Sequence, residues 1–200
     1  MYLAGFLKLF YELKKLLRIK PIKHGHTFTI VDVIDDLPWN TEGKWGYRPP
    51  IAIKQIIVHQ AMSKGPTDKI NAYHISKESH LKPGIGAPHI AYTYTVEKDG
   101  TIYQCNLDTA LTWHTRGQNT KSIGICLIGD FNGRANGGEG YIGKTSPSKP
   151  QLQSLNYLLN RLMSRYELQQ SNVYGHCDFG KPACPGNKVQ TWLEQWKSKD

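Results

Sequence analysis

Acidic residues are scarce in this chain of 200 residues: 16 Asp and Glu stand against 25 Lys and Arg, a formal net charge of +9 at pH 7. Such a surplus favours an anionic partner and leaves three kinds open: nucleic acid, a lipid surface, or a wall carrying acidic polymers. No nucleic-acid partner is expected. The basic residues are spread out, with Lys14 and Lys15 the one adjacent pair, and no aromatic-plus-basic repeat of the single-strand-binding type occurs. Cysteine is sparse as well. Cys105, Cys126, Cys177 and Cys184 are never spaced as C-x-x-C, which excludes a zinc knuckle or dithiol redox motif and gives no disulfide framework. Long apolar runs are missing: none approaches the roughly 20 residues that cross a bilayer. The N-terminal apolar stretch breaks at Lys8 before a signal-peptide core is complete, so the expectation is a chain made in the cytoplasm. There is no internal repeat. A chain of this length with 39% hydrophobic residues can bury one sizeable core, which predicts one domain and one active site.

What is present reads as helices mixed with strands. Residues 1–20 predict an amphipathic helix, with Leu3, Phe6, Leu7, Phe10, Leu13 and Leu17 on one side and Lys8, Glu12, Lys15 and Arg18 on the other. It can dock on the domain or contact a membrane or another protein. Residues 21–50 carry Pro38, Gly43, Gly46, Pro49 and Pro50 and predict an irregular lead-in to a domain over 51–200. Residues 53–58 are β-branched and apolar, a buried strand that delivers His59 at its C-terminal end. A helix is expected over 67–80, a hairpin over 90–96 and 101–105 around Lys98-Asp99-Gly100, and a strand over 122–131. Residues 132–148, rich in Gly, Asn and Ser, predict a surface loop. Ser148, Pro150 and Gln151 form a capping-box start for a long helix with Leu152, Leu155, Leu159, Leu162 and Tyr166 at helical spacing. A short strand at 173–174 and a last helix over 190–197, Trp192 and Trp196 facing in, complete an α/β layer fold.

The residues that suggest chemistry are His59, His176 and Cys184. Two imidazoles and a thiolate can fill three corners of a zinc tetrahedron and leave the fourth for water, whose pKa zinc lowers to about 7. The segment GHCDFGKPACPG places His176 and Cys184 eight residues apart on a loop punctuated by Gly and Pro, which suits ligation better than packing. Cys177 is the rival ligand. Neighbours on an extended backbone point to opposite sides, which favours Cys184 over a residue adjoining His176. Cys126, inside the apolar run 123–128, reads as core.

The order of motifs resembles the zinc-dependent N-acetylmuramoyl-L-alanine amidase family (amidase type 2), which includes phage lysozyme-amidases and peptidoglycan recognition proteins. WGYRPP at 45–50 is similar to the opening segment of the recognition proteins, and IIVHQA to the block supplying the first metal histidine, here His59. Tyr73-His74 resembles the aromatic-His pair on the following helix. AYTYTVEKDGTIYQ resembles the hairpin bearing the catalytic tyrosine, which falls on Tyr92 counted back from Asp99-Gly100. WHTRGQNTKSIGICLIGDF is similar to the segment with a substrate-side histidine, here His114, and its core strand.

The resemblance spans about 45–192 and implies a central mixed sheet flanked by helices, one Zn2+, and peptidoglycan or a muropeptide as substrate. It also implies hydrolysis of the amide between N-acetylmuramic acid and L-alanine, with binding without cleavage as the alternative. It gives Tyr92 the task of holding or helping to deprotonate the zinc water, although read without it Tyr92 is an ordinary strand tyrosine on the same face as Tyr94. It sets His114 on the substrate side, with Thr115, Arg116 and Asn119 beside it as groove lining or equally as a solvated loop; His74 is a further substrate-side candidate, although His74, His80 and His89 are better explained as structural or as supports behind the site. Catalytic relatives often carry Lys or Thr two residues before the metal cysteine; here that position is Pro182, and Lys181 is the candidate for the same work. A monomer is expected. It would reach a wall through a holin or a secretion machine, or act in the cytoplasm on soluble muropeptides as a recycling enzyme.

Overall fold

A computed structural model describes residues 28–63, 65–132 and 146–198. The strands are β1 (Ile30–Asp32), β2 (Gln55–Gln60), β3 (Tyr94–Val96), β4 (Ile102–Gln104), β5 (Ser122–Leu127) and β6 (Val173–Gly175). The helices are α1 (Thr67–Ile75), α2 (Lys149–Tyr166) and α3 (Asn187–Lys197), with short 3-10 turns between elements. Among the described residues the six strands form one sheet in the order β1-β4-β3-β5-β2-β6. Only the β3–β4 hairpin is antiparallel. This is the mixed sheet with flanking helices that the sequence implied.

The sheet centre follows from composition. QIIVHQ in β2 and SIGICL in β5 are buried at every position, as strands covered on both faces must be. Alternation then sorts their side chains. Ile56 and Val58 of β2 join Ile123 and Ile125 of β5 against Leu155, Leu158, Leu159 and Leu162 of α2 and Val189, Leu193 and Trp196 of α3. Each of those leucines contributes roughly 1.5–3 kcal/mol by its burial. His59, one residue beyond Val58, faces the other side. That face carries a smaller cluster, Ile70, Ile90, Cys105 and Ile128, with Tyr92 packed against it.

α2 starts where the capping box predicts. Ser148 Oγ accepts from Gln151 N–H at 3.1 Å, and Gln151 Oε1 accepts from Ser148 N–H at 3.1 Å. The Gln151 amide also donates to the carbonyls of Val96 and Ile128, pinning the helix to β3 and to the end of β5. Trp196 faces in; Trp192 packs on the core from a partly exposed position.

Several expected boundaries move. α1 stops at Ile75 rather than at 80, because Ser76 turns extended and its hydroxyl caps the carbonyl of Tyr73 at 2.9 Å. β5 ends at Leu127. The lead-in is not merely irregular: β1 lies within it, parallel to β4, and Trp45 and Arg48 are buried in the domain. The helix expected over residues 1–20 and most of the loop expected over 132–148 lie outside the described residues.

Candidate metal centre

Near the end of β2, His59 lies in register beside Cys126 of β5, and β6 on the other edge of β2 runs directly into His176. The loop before α3 then returns Cys184 to the same place. One nitrogen from each imidazole and the sulfur of Cys184 lie within 4.8 Å of one another. Nδ1 of His59 is 3.7 Å from Cys184 Sγ. Tetrahedral bonds of about 2.3 Å to sulfur and 2.0–2.1 Å to nitrogen imply a separation of roughly 3.6 Å. The donor set therefore fits a zinc ion in chemistry, and the His59–Cys184 pair fits it in spacing.

Protonation agrees with that fit. Burial, then the neighbouring His114 and His176, holds the His59 pKa well below 6.5. Burial, then the charge of Lys181, lowers that of His176 to about 4. Both imidazoles are thus neutral at pH 7, as ligation requires. Burial pushes the Cys184 thiol up to about 12 against the opposing effect of the Gln60 N–H, so a metal must displace its proton to bind.

A chain of hydrogen bonds fixes which His59 nitrogen faces the site. Ser122 Oγ donates to the Gln118 carbonyl at 2.8 Å, so its oxygen is left to accept from His114 Nε2–H at 3.1 Å. Nδ1 of His114 is then an acceptor for His59 Nε2–H at 3.0 Å, and Nδ1 of His59 keeps its lone pair on the Cys184 side. Thr115 Oγ1 lies 3.1 Å from His114 Nδ1 and 3.4 Å from His59 Nε2. Gly124 makes the arrangement possible, since a Cβ there would sit 2.6 Å from the His114 ring.

The residues expected along the substrate groove therefore separate. His114 and Thr115 are buried behind His59 with their polar atoms engaged. His74 is buried too: its Nδ1 accepts the Ala91 N–H at 3.1 Å, and burial, then His80 and His89, lowers its pKa to about 3. Arg116 is exposed, and half-buried Asn119 accepts the Thr115 N–H through Oδ1 at 2.8 Å. The backbone carbonyl of Asn119 also accepts from Arg48.

Tyr92 lies with its ring 5.2 Å from that of His59. Burial, then the thiols of Cys126 and Cys184, pushes its phenol well above 10, so it is a neutral hydroxyl at physiological pH. Tyr94 does not share its face: Tyr94 belongs to the α2-side core and donates to Asp108 at 2.7 Å. The chain bends at Thr93, one residue before β3 begins, so strand alternation does not carry from Tyr92 to Tyr94. Cys177 does not converge with the imidazoles. The His176–Cys177 pair opens a 3-10 turn rather than an extended segment, so the alternation argument does not apply there. Lys181 is exposed; its carbonyl accepts the Cys184 N–H at 2.9 Å in the turn that includes Pro182.

Two supports carried no sequence signal. Asn106 accepts from Trp45 Nε1–H at 2.8 Å and donates to the carbonyls of Ile90 and Tyr92, holding the Tyr92 backbone in place. Gln60 ties the strand end to the cysteine loop. Both act through distant partners, which no local pattern announces.

Fold and site together define an α/β protein of amidase or peptidoglycan-recognition architecture. The chain belongs to the N-acetylmuramoyl-L-alanine amidase family, Amidase_2, which its residues 48–187 match. It is 28% identical over 149 residues to the endolysin of Enterobacteria phage T3, covering 74% of this chain and 91% of that one. It is 27% identical over 134 residues to peptidoglycan-recognition protein SC2 of Drosophila melanogaster, covering 64% of this chain and 62% of that one. Among solved structures it is similar to the N-acetylmuramoyl-L-alanine amidase LysC from Clostridium intestinale URNW. That likeness has a TM-score of 0.65 at 25% identity and covers 85% of this chain and 97% of that one.

Proposed function

We propose that this protein is a zinc-dependent N-acetylmuramoyl-L-alanine amidase that hydrolyses the bond between N-acetylmuramic acid and L-alanine in peptidoglycan. The observation that carries the reading is the convergence of His59, His176 and Cys184 within 4.8 Å at the end of β2. When bound there, zinc supplies Lewis acidity toward the scissile carbonyl and makes water acidic enough to attack near neutral pH. Tyr92, a neutral phenol beside His59, would orient the attacking water by hydrogen bonding. The Lys181 ammonium, whose charge lowers the pKa of His176, would offset the oxyanion that develops on the carbonyl. Arg116, exposed beside the buried Thr115, can pair with a stem-peptide carboxylate.

A second reading, a recognition protein that grips the wall without cutting it, is favoured by Pro182 standing where catalytic relatives often carry Lys or Thr. Zinc content and stem-peptide release from purified sacculi, repeated after chelation and zinc return, separate the two. Zinc-dependent release with new L-alanine amino ends is expected; bound zinc and saturable wall binding without release on several wall types would establish the recognition reading instead.

A further inference from the structure

We propose that Gln60 is a positioning residue that holds the Cys184 sulfur in the metal-binding arrangement, an inference that rests on the metal reading of this site. Gln60 directly follows His59 in β2, and alternation sends its side chain to the opposite face, toward the loop that carries the cysteine. It is 2% exposed, and its backbone N–H and both ends of its side-chain amide have partners. Its Nε2 donates to the Ala183 carbonyl, one residue before Cys184. Its Oε1 accepts the Phe131 N–H at 2.6 Å. Its backbone N–H points at Cys184 Sγ, 3.4 Å away.

The three contacts bind together the end of β2, the segment leaving β5 and the cysteine loop. α3 starts from the same knot: Gly186 lies so close that a Cβ there would sit 2.8 Å from Gln60 Oε1. A primary amide meets the demand, giving Phe131 an acceptor and Ala183 a donor from one side chain. One strand end thus presents a ligand, His59, on one face and the tether of another ligand, Cys184, on the other. The tether limits how far that sulfur can drift from Nδ1 of His59.

The test compares the full-length protein with Gln60→Glu, which keeps an acceptor for Phe131 but loses the donor to Ala183, and with Gln60→Met, which has neither. Zinc affinity is read by chelator competition, and the cobalt-substituted proteins are read by their thiolate-to-cobalt charge-transfer band. Metal-free stability is followed in parallel. Support is a rise in the zinc dissociation constant of about 10- to 100-fold, the range typical of lost supports behind a ligand, with a weakened or shifted cobalt band in a variant whose far-UV spectrum is native. A merely structural role lowers metal-free stability and leaves the zinc affinity of the folded variants and the cobalt band unchanged, which overturns the proposal. A wild-type protein that binds neither metal overturns the metal reading itself, a different failure.

Discussion

Nε2 of His59 lies 3.0 Å from Nδ1 of His114, with the two rings perpendicular. His114 therefore supports a candidate ligand instead of opening onto a groove, and its own Nε2 is held by Ser122. His114→Ala is expected to weaken zinc binding by about 10- to 100-fold, because His59 loses the partner that fixes its tautomer and tilt. Chelator competition measures it. Unchanged zinc affinity with a raised KM would return His114 to the substrate-side role the family resemblance suggests.

Tyr92 and Tyr94, two residues apart, should respond oppositely to loss of the hydroxyl. Tyr92→Phe is expected to keep its zinc and lose about 100-fold or more in hydrolysis, the scale of a positioned proton-handling group. Tyr94→Phe loses its hydrogen bond to Asp108, whose carboxylate keeps Tyr166 at 2.5 Å, so a stability loss of about 1 kcal/mol is expected with activity unchanged. Thermal melts and turnover on purified sacculi read the two separately. Full activity in Tyr92→Phe would remove the proposed role of that hydroxyl.

This contrast marks how far the sequence could be read. Wherever one period governed a whole element it was legible: β2, the hairpin, the capping box of α2 and the apolar stripe of α3 lie close to where their patterns put them. The three candidate ligands were legible because few residue types ligate zinc, His and Cys foremost among them, and the motif order narrowed the choice. Period-2 counting failed at Tyr92 because the chain bends at Thr93 and β3 begins only at Tyr94. β1 was hidden because nearby Pro and Gly outweighed three strand residues at the sheet edge. Gln60, Asn106 and the burial of His114 were illegible for another reason: their partners Cys184, Tyr92 and His59 lie 124, 14 and 55 positions away and meet only in the folded protein.

Buried neutral histidines make stability depend on pH. His74 and His114 stay unprotonated to about pH 3, through burial first, whereas both titrate near 6.5 when unfolded. Between those values the unfolded chain binds protons that the folded chain refuses, so stability is full above about 6.5 and falls as the pH drops. Each contributes about 1.4 kcal/mol per pH unit within its window. His176, more accessible and lowered only to about 4, adds a smaller amount because solvent screens it. Melting of the chelated protein from pH 8 to 4 is expected to show a plateau and then a steep decline below about 6.5. A flat profile down to pH 4 would show that these imidazoles protonate in place without cost.

Lys181 carries two separable consequences. Its ammonium is the second cause, after burial, of the lowered pKa of His176, so Lys181→Ala should raise that pKa toward 6.5. The pH at which zinc binding is half complete should then move upward, since protons compete for His176 over a wider range. The shift is smaller at high salt because Lys181 is exposed. If the same ammonium also meets the developing oxyanion, Lys181→Ala loses about 100-fold in kcat at a pH where zinc is saturating, the scale for removing one oxyanion donor. Both effects are expected. A shifted zinc-binding profile with undiminished kcat would confine Lys181 to electrostatics at His176 and leave the oxyanion without a side-chain cation from this turn, where Pro182 has nothing to offer. Loss of kcat with an unmoved profile would place the ammonium toward the substrate instead.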